Sequence, residues 1–248
     1  ALHAAHMALV EASQEICGRT IVTIFVNPAQ FGPDEDFGAY PRREVRDMEM
    51  LEAVHVDLLF APTVAEVYPD GFTTTVTVAG VSEGLCGNHR PGHFDGVATV
   101  VTKLLLLSLP DIAVFGEKDY QQLQVIKRLA RDLDIPVHIQ PVATVREDDG
   151  LAISSRNVHL SIEERAIAPR LYTVLNEVAE DIAEGTPPTE AAATGLEVLR
   201  AAGFTNIEYL EARDAETLEV AADNRRPLRI LAAAWLGETR LIDNVPVL

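Results

Sequence analysis

Two histidines three residues apart, His3 and His6, open the apolar-patterned segment that continues through Met7, Leu9, Val10 and Ile16. That pattern predicts a helix, and the spacing places both imidazoles on one face of its first turn. A helix N-terminus presents unsatisfied N–H groups and a partial positive charge, so the pair is suited to hydrogen-bonding phosphate oxygens as charge develops on a leaving group. Two histidines at this spacing also occur by chance on ordinary surfaces. A second group, Gly116-Glu117-Lys118-Asp119, follows an apolar run and precedes Tyr120-Gln121-Gln122. Here Gly116 permits close backbone approach and Lys118 offers a compact cation to phosphate. The bland alternative is an exposed charged turn. A third group, Ile153-Ser154-Ser155-Arg156-Asn157, joins two hydroxyls to a guanidinium, a set that can surround a triphosphate. Ser161 with Glu164 has the spacing of a capping box for the helix that follows.

Weaker candidates are Asn27 and Gln30, whose amides can bind hydroxyls and carboxylates, and Arg90 with His93 in the Gly-rich stretch from Gly84 to Gly96. The chain contains no GxxxxGK[ST], no GxGxxG and no GxSxG, which removes three common phosphate-binding and nucleophile signatures.

These residues need elements to hold them. Thr20 to Val26 is apolar and β-branched and ends at Asn27-Pro28, which predicts a buried strand leading into a loop. Further pairs follow: a helix from Arg42 to His55 with a strand in Val56 to Ala61, then a loop from Cys86 to Gly92. Next come a helix over Val97 to Leu107 with a strand at Asp111 to Phe115, and a helix over Gln121 to Leu133 with a strand at Val137 to Val142. Alternation of this kind predicts an α/β fold with a doubly wound parallel sheet, whose ligands gather at the C-terminal ends of the strands. Arg146 to Gly150 is polar and flexible in composition. The expected organisation is therefore a first domain over residues 1–145 and a smaller C-terminal α+β domain over 146–248, with β-like pieces at Ile207 to Leu210 and Leu228 to Ala232.

The chain has 248 residues, 48% of them hydrophobic, and a formal charge of −18, which disfavours nucleic acid and anionic membranes as partners. Lysine occurs at positions 103, 118 and 127 alone, so a lysine inside a motif carries extra weight. The two cysteines, Cys17 and Cys86, have no metal-binding spacing and suit a reducing compartment such as the cytoplasm. No stretch reaches the length of a membrane span, and no signal peptide is visible at Ala1-Leu2-His3.

Taken in order, His3-Ala4-Ala5-His6, the strand and loop IFVNPAQF, RPGHFDGVATVV, GEKDYQQ, GLAISSRN and the closing AAWLG and RLIDN resemble the pantothenate synthetase (pantoate–β-alanine ligase) family along the whole chain. The resemblance implies a nucleotidyltransferase-type Rossmann-like sheet and an ATP-dependent condensation of (R)-pantoate with β-alanine through pantoyl adenylate. Pantothenate, AMP and pyrophosphate would be the products, with Mg2+ accompanying ATP and a homodimer as the assembly. By matching motif, His3 and His6 would hold the triphosphate, with His6 as proton donor. ATP would be bound by Gly116, Glu117, Lys118, Asp119, Val145, Ile153, Ser154, Ser155 and Arg156, the last four closing as a mobile loop and the backbone near Val145 meeting adenine. Gln30 and Gln122 would clasp pantoate beside Asn27, Arg90 would lie in a loop that helps close the site or shapes β-alanine entry, and Asp47 would sit by the metal. Ala5 stands where the family signature has glycine, and Cys86 where many relatives carry glutamate. The family also places a strand and a Pro-Thr-Met-Gly turn before the Ala-Leu-His segment, so one strand of the sheet and part of the ATP pocket are expected to be missing here. Rival readings are a ligand-binding homologue with little activity, a ligase of the same superfamily for another acid or amine, and a structural protein.

Overall fold

The computed structural model describes residues 2–32, 38 and 43–248. The chain divides into two compact units, one made of residues 1–117 and 122–143, the other of 118–121 and 144–248. The described residues of the first unit contain helix α1 (Ala4–Ile16), strand β1 (Ile21–Thr23), helix α2 (Glu44–Ala53) and strand β2 (Leu58–Phe60). Helices α3 (Val64–Val67), α4 (Leu85–His89) and α5 (His93–Ser108) and strand β3 (Ile112–Gly116) follow, then helix α6 (Tyr120–Asp132) and strand β4 (His138–Val142). Helix α6 straddles the division of the chain, its first two residues belonging to the second unit.

Parallel pairing runs β1 with β2, Ile21 opposite Leu58, and β3 with β4, Ile112 opposite His138. Among the described residues β1 and β3 do not pair with each other. A groove of about 800 Å3 is lined by both strands and by residues of α1 and α5, His6 among them. Helix α6 buries Leu123, Ile126, Leu129 and Ala130, which recur at i, i+3, i+6 and i+7, the spacing of one helix face. Leu123, Ile126 and Leu129 each contribute roughly 1.5–3 kcal/mol by leaving water.

Helix α5 passes so close to the short 3-10 turn Pro28–Gln30 that only glycine fits at the crossing. A Cβ on Gly96 would lie 2.7 Å from Gln30 N and closer still to the carbonyl of Ala29. That contact fixes the turn carrying Gln30 against a helix whose buried face includes Phe94, Val97, Ala98 and Val101.

The second unit has helices α7 (Ile162–Ile167), α8 (Arg170–Ala183) and α9 (Pro188–Ala202), then strands β5 (Asn206–Asp214), β6 (Leu228–Leu236) and β7 (Thr239–Pro246). The strands form an antiparallel sheet in the order β5-β6-β7. Its central strand is buried along nearly its whole length, and with Leu171, Val174, Leu175, Ile182 and Leu199 of the helices it makes one apolar core. The fold is thus helices on parallel strands, with a separate, smaller α+β unit toward the C-terminus.

Several expected boundaries shift. The strand expected over Thr20 to Val26 is regular only at Ile21–Thr23, although Ile24 N–H still donates to Phe60 O at 2.9 Å. The expected helix from Arg42 is seen from Glu44 to Ala53, and Arg42 itself lies outside the described residues. The stretch expected as a loop between Cys86 and Gly92 contains α4, and α5 starts at His93 rather than Val97. The β-like pieces at 207–210 and 228–232 are parts of strands of nine residues each. Arg146 to Gly150, polar enough to suggest flexibility, is instead a tight hairpin: Glu147 N–H donates to Leu151 O at 2.9 Å and Ile153 N–H to Val145 O at 2.9 Å.

Candidate active site

In the first unit His3 is the N-cap of α1, in extended conformation, and His6 lies in the first turn. The His3 backbone N–H donates to Nδ1 of His6 at 3.3 Å, and the two rings lie 3.9 Å apart, tilted by 37°. An Nδ1 that accepts a hydrogen bond carries the lone pair, so in the neutral ring the proton sits on Nε2. The adjoining Leu2 N–H donates to Oδ1 of Asp47 at 2.8 Å, tying the start of α1 to α2. Asp47 is only 2% exposed. Asp47 is thus bonded to the residue that directly precedes His3.

A second cluster of the same unit surrounds Gln30. Asn27, 2% exposed, uses both ends of its side-chain amide. Its Nδ2 donates to Gln30 Oε1 at 3.1 Å and to Gly96 O at 3.0 Å, while its Oδ1 accepts from Ala29 N–H at 3.2 Å and from the Tyr68 hydroxyl at 2.8 Å. The Gly96 carbonyl can only accept and the Ala29 N–H can only donate, so the amide orientation is unambiguous. Burial pushes the Tyr68 hydroxyl above its ordinary pKa, and the hydrogen bond to Asn27 works against that rise. From α5, Nδ1 of the buried His93 meets Gln30 O at 2.9 Å and Nε2 meets Arg90 Nη1 at 3.0 Å. Because a guanidinium only donates and a carbonyl only accepts, His93 must carry its proton on Nδ1 and accept from Arg90 at Nε2. Arg90 adds a longer contact, 3.4 Å, from Nη2 to Gln30 O. Gln122 is half-buried in α6. Gly116 ends β3 and Glu117 begins the 3-10 turn that follows.

The second unit carries the remaining candidates. Lys118 is half-buried in the turn Glu117–Asp119, and its carbonyl accepts from Asn244 Nδ2 of β7 at 3.0 Å. Val145 and Ile153 pair across the base of the hairpin. Ser154 caps the 3-10 turn Ser155–His159, its Oγ accepting from Arg156 N–H at 3.2 Å, and Asn157 Nδ2 donates to Ala152 O at 3.0 Å. The base is secured by Arg146. Its guanidinium meets both carboxylate oxygens of Asp243, at 2.6 and 2.9 Å, donates to Gly150 O at 3.0 Å, and lies 3.7 Å over the Tyr172 ring. Ser161 and Glu164 do form the expected capping box.

The sequence reading missed Tyr68, Arg146, Asp243 and Asn244 as members of these clusters, and it named His93 beside Arg90 without Gln30. Tyr68, Arg146, Asp243 and Asn244 meet partners remote in the chain, up to 126 residues away for Asn244 and Lys118, so no local pattern announces them. The signal available was chemical: an aspartate and an asparagine set between Leu241-Ile242 and Val245 in a buried strand need buried partners. Among the described residues no group of three or more His, Cys, Asp or Glu side chains is arranged to hold a metal, and no helix is long and apolar enough to cross a membrane.

The family model described as pantoate-beta-alanine ligase matches residues 1–246. The pantothenate synthetase of Paramagnetospirillum magneticum is 58% identical over 100% of this chain and 87% of its own length. That of Rhodospirillum rubrum is 54% identical over 100% of this chain and 88% of its own. Among solved structures, pantothenate synthetase from Thermus thermophilus superposes with a TM-score of 0.95 at 48% identity, covering 99% of this chain and 90% of that one. The pantoate-beta-alanine ligase from Francisella tularensis, complexed with beta-gamma ATP and beta-alanine, gives 0.81 at 33% identity, covering 99% and 86%. With the histidine pair, the amide cluster and the capped Ser-Ser-Arg turn in the order the resemblance requires, the chain belongs to the pantoate-beta-alanine ligase family.

Proposed function

We propose that this chain joins (R)-pantoate to β-alanine in two steps that use ATP. In the first, a pantoate carboxylate oxygen bonds to the α-phosphorus, the bond to the bridging oxygen breaks, and pyrophosphate leaves. In the second, the amine of β-alanine attacks the acyl carbon of pantoyl adenylate, loses a proton, and expels AMP. The single observation that carries this reading is the head of α1, where His6 is held by the His3 backbone with its Nε2–H as donor, in a chain of this family.

In this reading His3 and His6 hydrogen-bond the triphosphate, and His6 donates through Nε2–H as charge moves onto the pyrophosphate. Gly116, Glu117, Lys118 and Asp119 bind the nucleotide, Lys118 through its ammonium. Ile153, Ser154, Ser155 and Arg156 close over the triphosphate, and the backbone near Val145 meets adenine. Gln30 and Gln122 clasp pantoate with Asn27 beside it, and Arg90 helps close the site or shapes β-alanine entry. Residues 1–145 and 146–248 act as the two functional domains. A mixed anhydride survives in such a site through orientation and exclusion of water, so no protein nucleophile is required.

Mg2+ would travel with ATP and lower the repulsion among the phosphates. It ordinarily binds through one or two carboxylates plus phosphates and water, so a single carboxylate fits. Asp47 would supply it, one oxygen already accepting from Leu2 N–H. A homodimer is supported by the family resemblance and by the exposed Leu106, Leu107 and Leu109 at the end of α5. A cytoplasmic setting is supported by Cys17 and Cys86, both thiols.

Pantoate labelled with 18O in its carboxylate tests the adenylate step. The label must appear in the AMP phosphate after turnover with β-alanine. Label retained wholly in pantothenate and residual pantoate would overturn it.

A further inference from the structure

Within the second unit, the residue assigned to the phosphates is tied at its backbone to the C-terminal strand. Lys118 presents its ammonium on a flexible four-carbon stem, so its aim depends on how firmly its own backbone is held. One hold is the amide of Asn244, 3% exposed, whose Nδ2 donates to Lys118 O at 3.0 Å. The same amide accepts at Oδ1 from Nε of Arg229, itself buried, at 2.6 Å. A guanidinium only donates and a carbonyl only accepts, so the Asn244 amide can take only one orientation. Arg229 is fixed in turn, its guanidinium 4.0 Å over the ring of Tyr120, whose hydroxyl donates to Ala215 O at 2.7 Å. The neighbouring Asp243 bonds Arg146 with both oxygens and also accepts from Asn244 N–H at 2.8 Å. A buried polar network in which each member is satisfied holds its groups in one arrangement.

We propose that Asn244 is a positioning residue for the pantoate–β-alanine ligase reaction, acting through the carbonyl of Lys118 to set where the lysine ammonium meets the nucleotide phosphates. This rests on the assignment of Lys118 to ATP given above.

The test is a double-mutant cycle on the full chain. Asn244→Asp keeps the shape and the acceptor for Arg229 but removes the donor to Lys118 O. Asn244→Ala is the second variant should the carboxylate disturb folding, and circular dichroism and thermal melting report folding for each. With Lys118 present, Asn244→Asp raises the KM for ATP or lowers kcat by about 10- to 100-fold, the scale of a small misplacement at a reacting centre, and leaves the KM for pantoate within about twofold. In the Lys118→Ala background the same change has less than about a twofold effect. Equal fold-losses in both backgrounds would overturn the proposal while leaving the role of Lys118 intact, as would unchanged ATP kinetics in Asn244→Asp and Asn244→Ala. A Lys118→Ala protein with full ATP-dependent turnover would instead remove the assignment on which the proposal stands.

Discussion

The backbone N–H of His3 donates to Nδ1 of His6 at 3.3 Å, so the residue that caps helix α1 also selects the tautomer of the histidine one turn on. Replacing His6 by alanine removes the Nε2–H donor while leaving a helix former in place. The expected result is a fall in kcat of about 10^2- to 10^3-fold, the range found for single donors that stabilise developing charge, with the melting temperature lowered only by the loss of one capping bond, about 0.5–2 kcal/mol. Pyrophosphate release measured beside a thermal melt checks both halves.

Asn27 presents a different balance, because its amide serves four partners and is almost wholly buried. Asn27→Ala takes the mate from one buried group, Gly96 O, and from three partly buried ones, and a buried polar group left unpaired costs about 1–3 kcal/mol. The variant should melt well below the parent and bind pantoate less tightly, since Gln30 Oε1 loses its donor. Asn27→Asp should be no better, as a carboxylate would face two acceptors, Gly96 O and Gln30 Oε1. Denaturant unfolding and the KM for pantoate are the measurements.

Gly96→Ala forces a methyl group into the carbonyl of Ala29, against backbone that has little room to yield. The expected cost is about 1–3 kcal/mol, with a shift of the turn bearing Gln30. A rise in the pantoate KM larger than the change in the ATP KM would show that the turn has moved.

Asp57 supports a prediction about acid. Its carboxylate accepts from Thr20 N–H at 2.8 Å and from Arg19, and these hold its pKa below the ordinary value of 3.8, the Thr20 bond contributing most. A carboxylate whose folded pKa is depressed adds stability above its unfolded pKa and loses it as pH falls through the folded value. Asp57→Asn should therefore be less stable than the parent near neutrality, and the gap should close as pH drops below about 4. Parallel melts from pH 7 to pH 3 read the effect. A gap that stays constant would mean that the side chain works by shape alone.

Much of this architecture was legible from pattern, and the exceptions share a cause. The start of α1, the extent of α6 and the Ser161 capping box follow from residues within a turn of one another, where spacing decides hydrogen bonding. Helix α4 escaped because it is short and is entered through Gly84 and Leu85 at positive φ, where a Gly-rich stretch reads as a loop. The hairpin at Arg146 escaped because its polar residues look solvated until Asp243, 97 positions on, supplies the carboxylate. Likewise Tyr68 finds Asn27 across 41 residues. The candidate site residues could be named from motifs, but the groups that aim them are tertiary partners, and tertiary pairing leaves no periodic trace in the chain.

The central claim, a pantoate-activating ligase, is tested most directly by pyrophosphate release from the purified protein with ATP and Mg2+, varying pantoate and β-alanine independently. The account predicts pyrophosphate release that requires pantoate, with AMP and pantothenate accumulating only when β-alanine is also present. ATP turnover indifferent to pantoate, or none at all from folded protein with every substrate supplied, would contradict it.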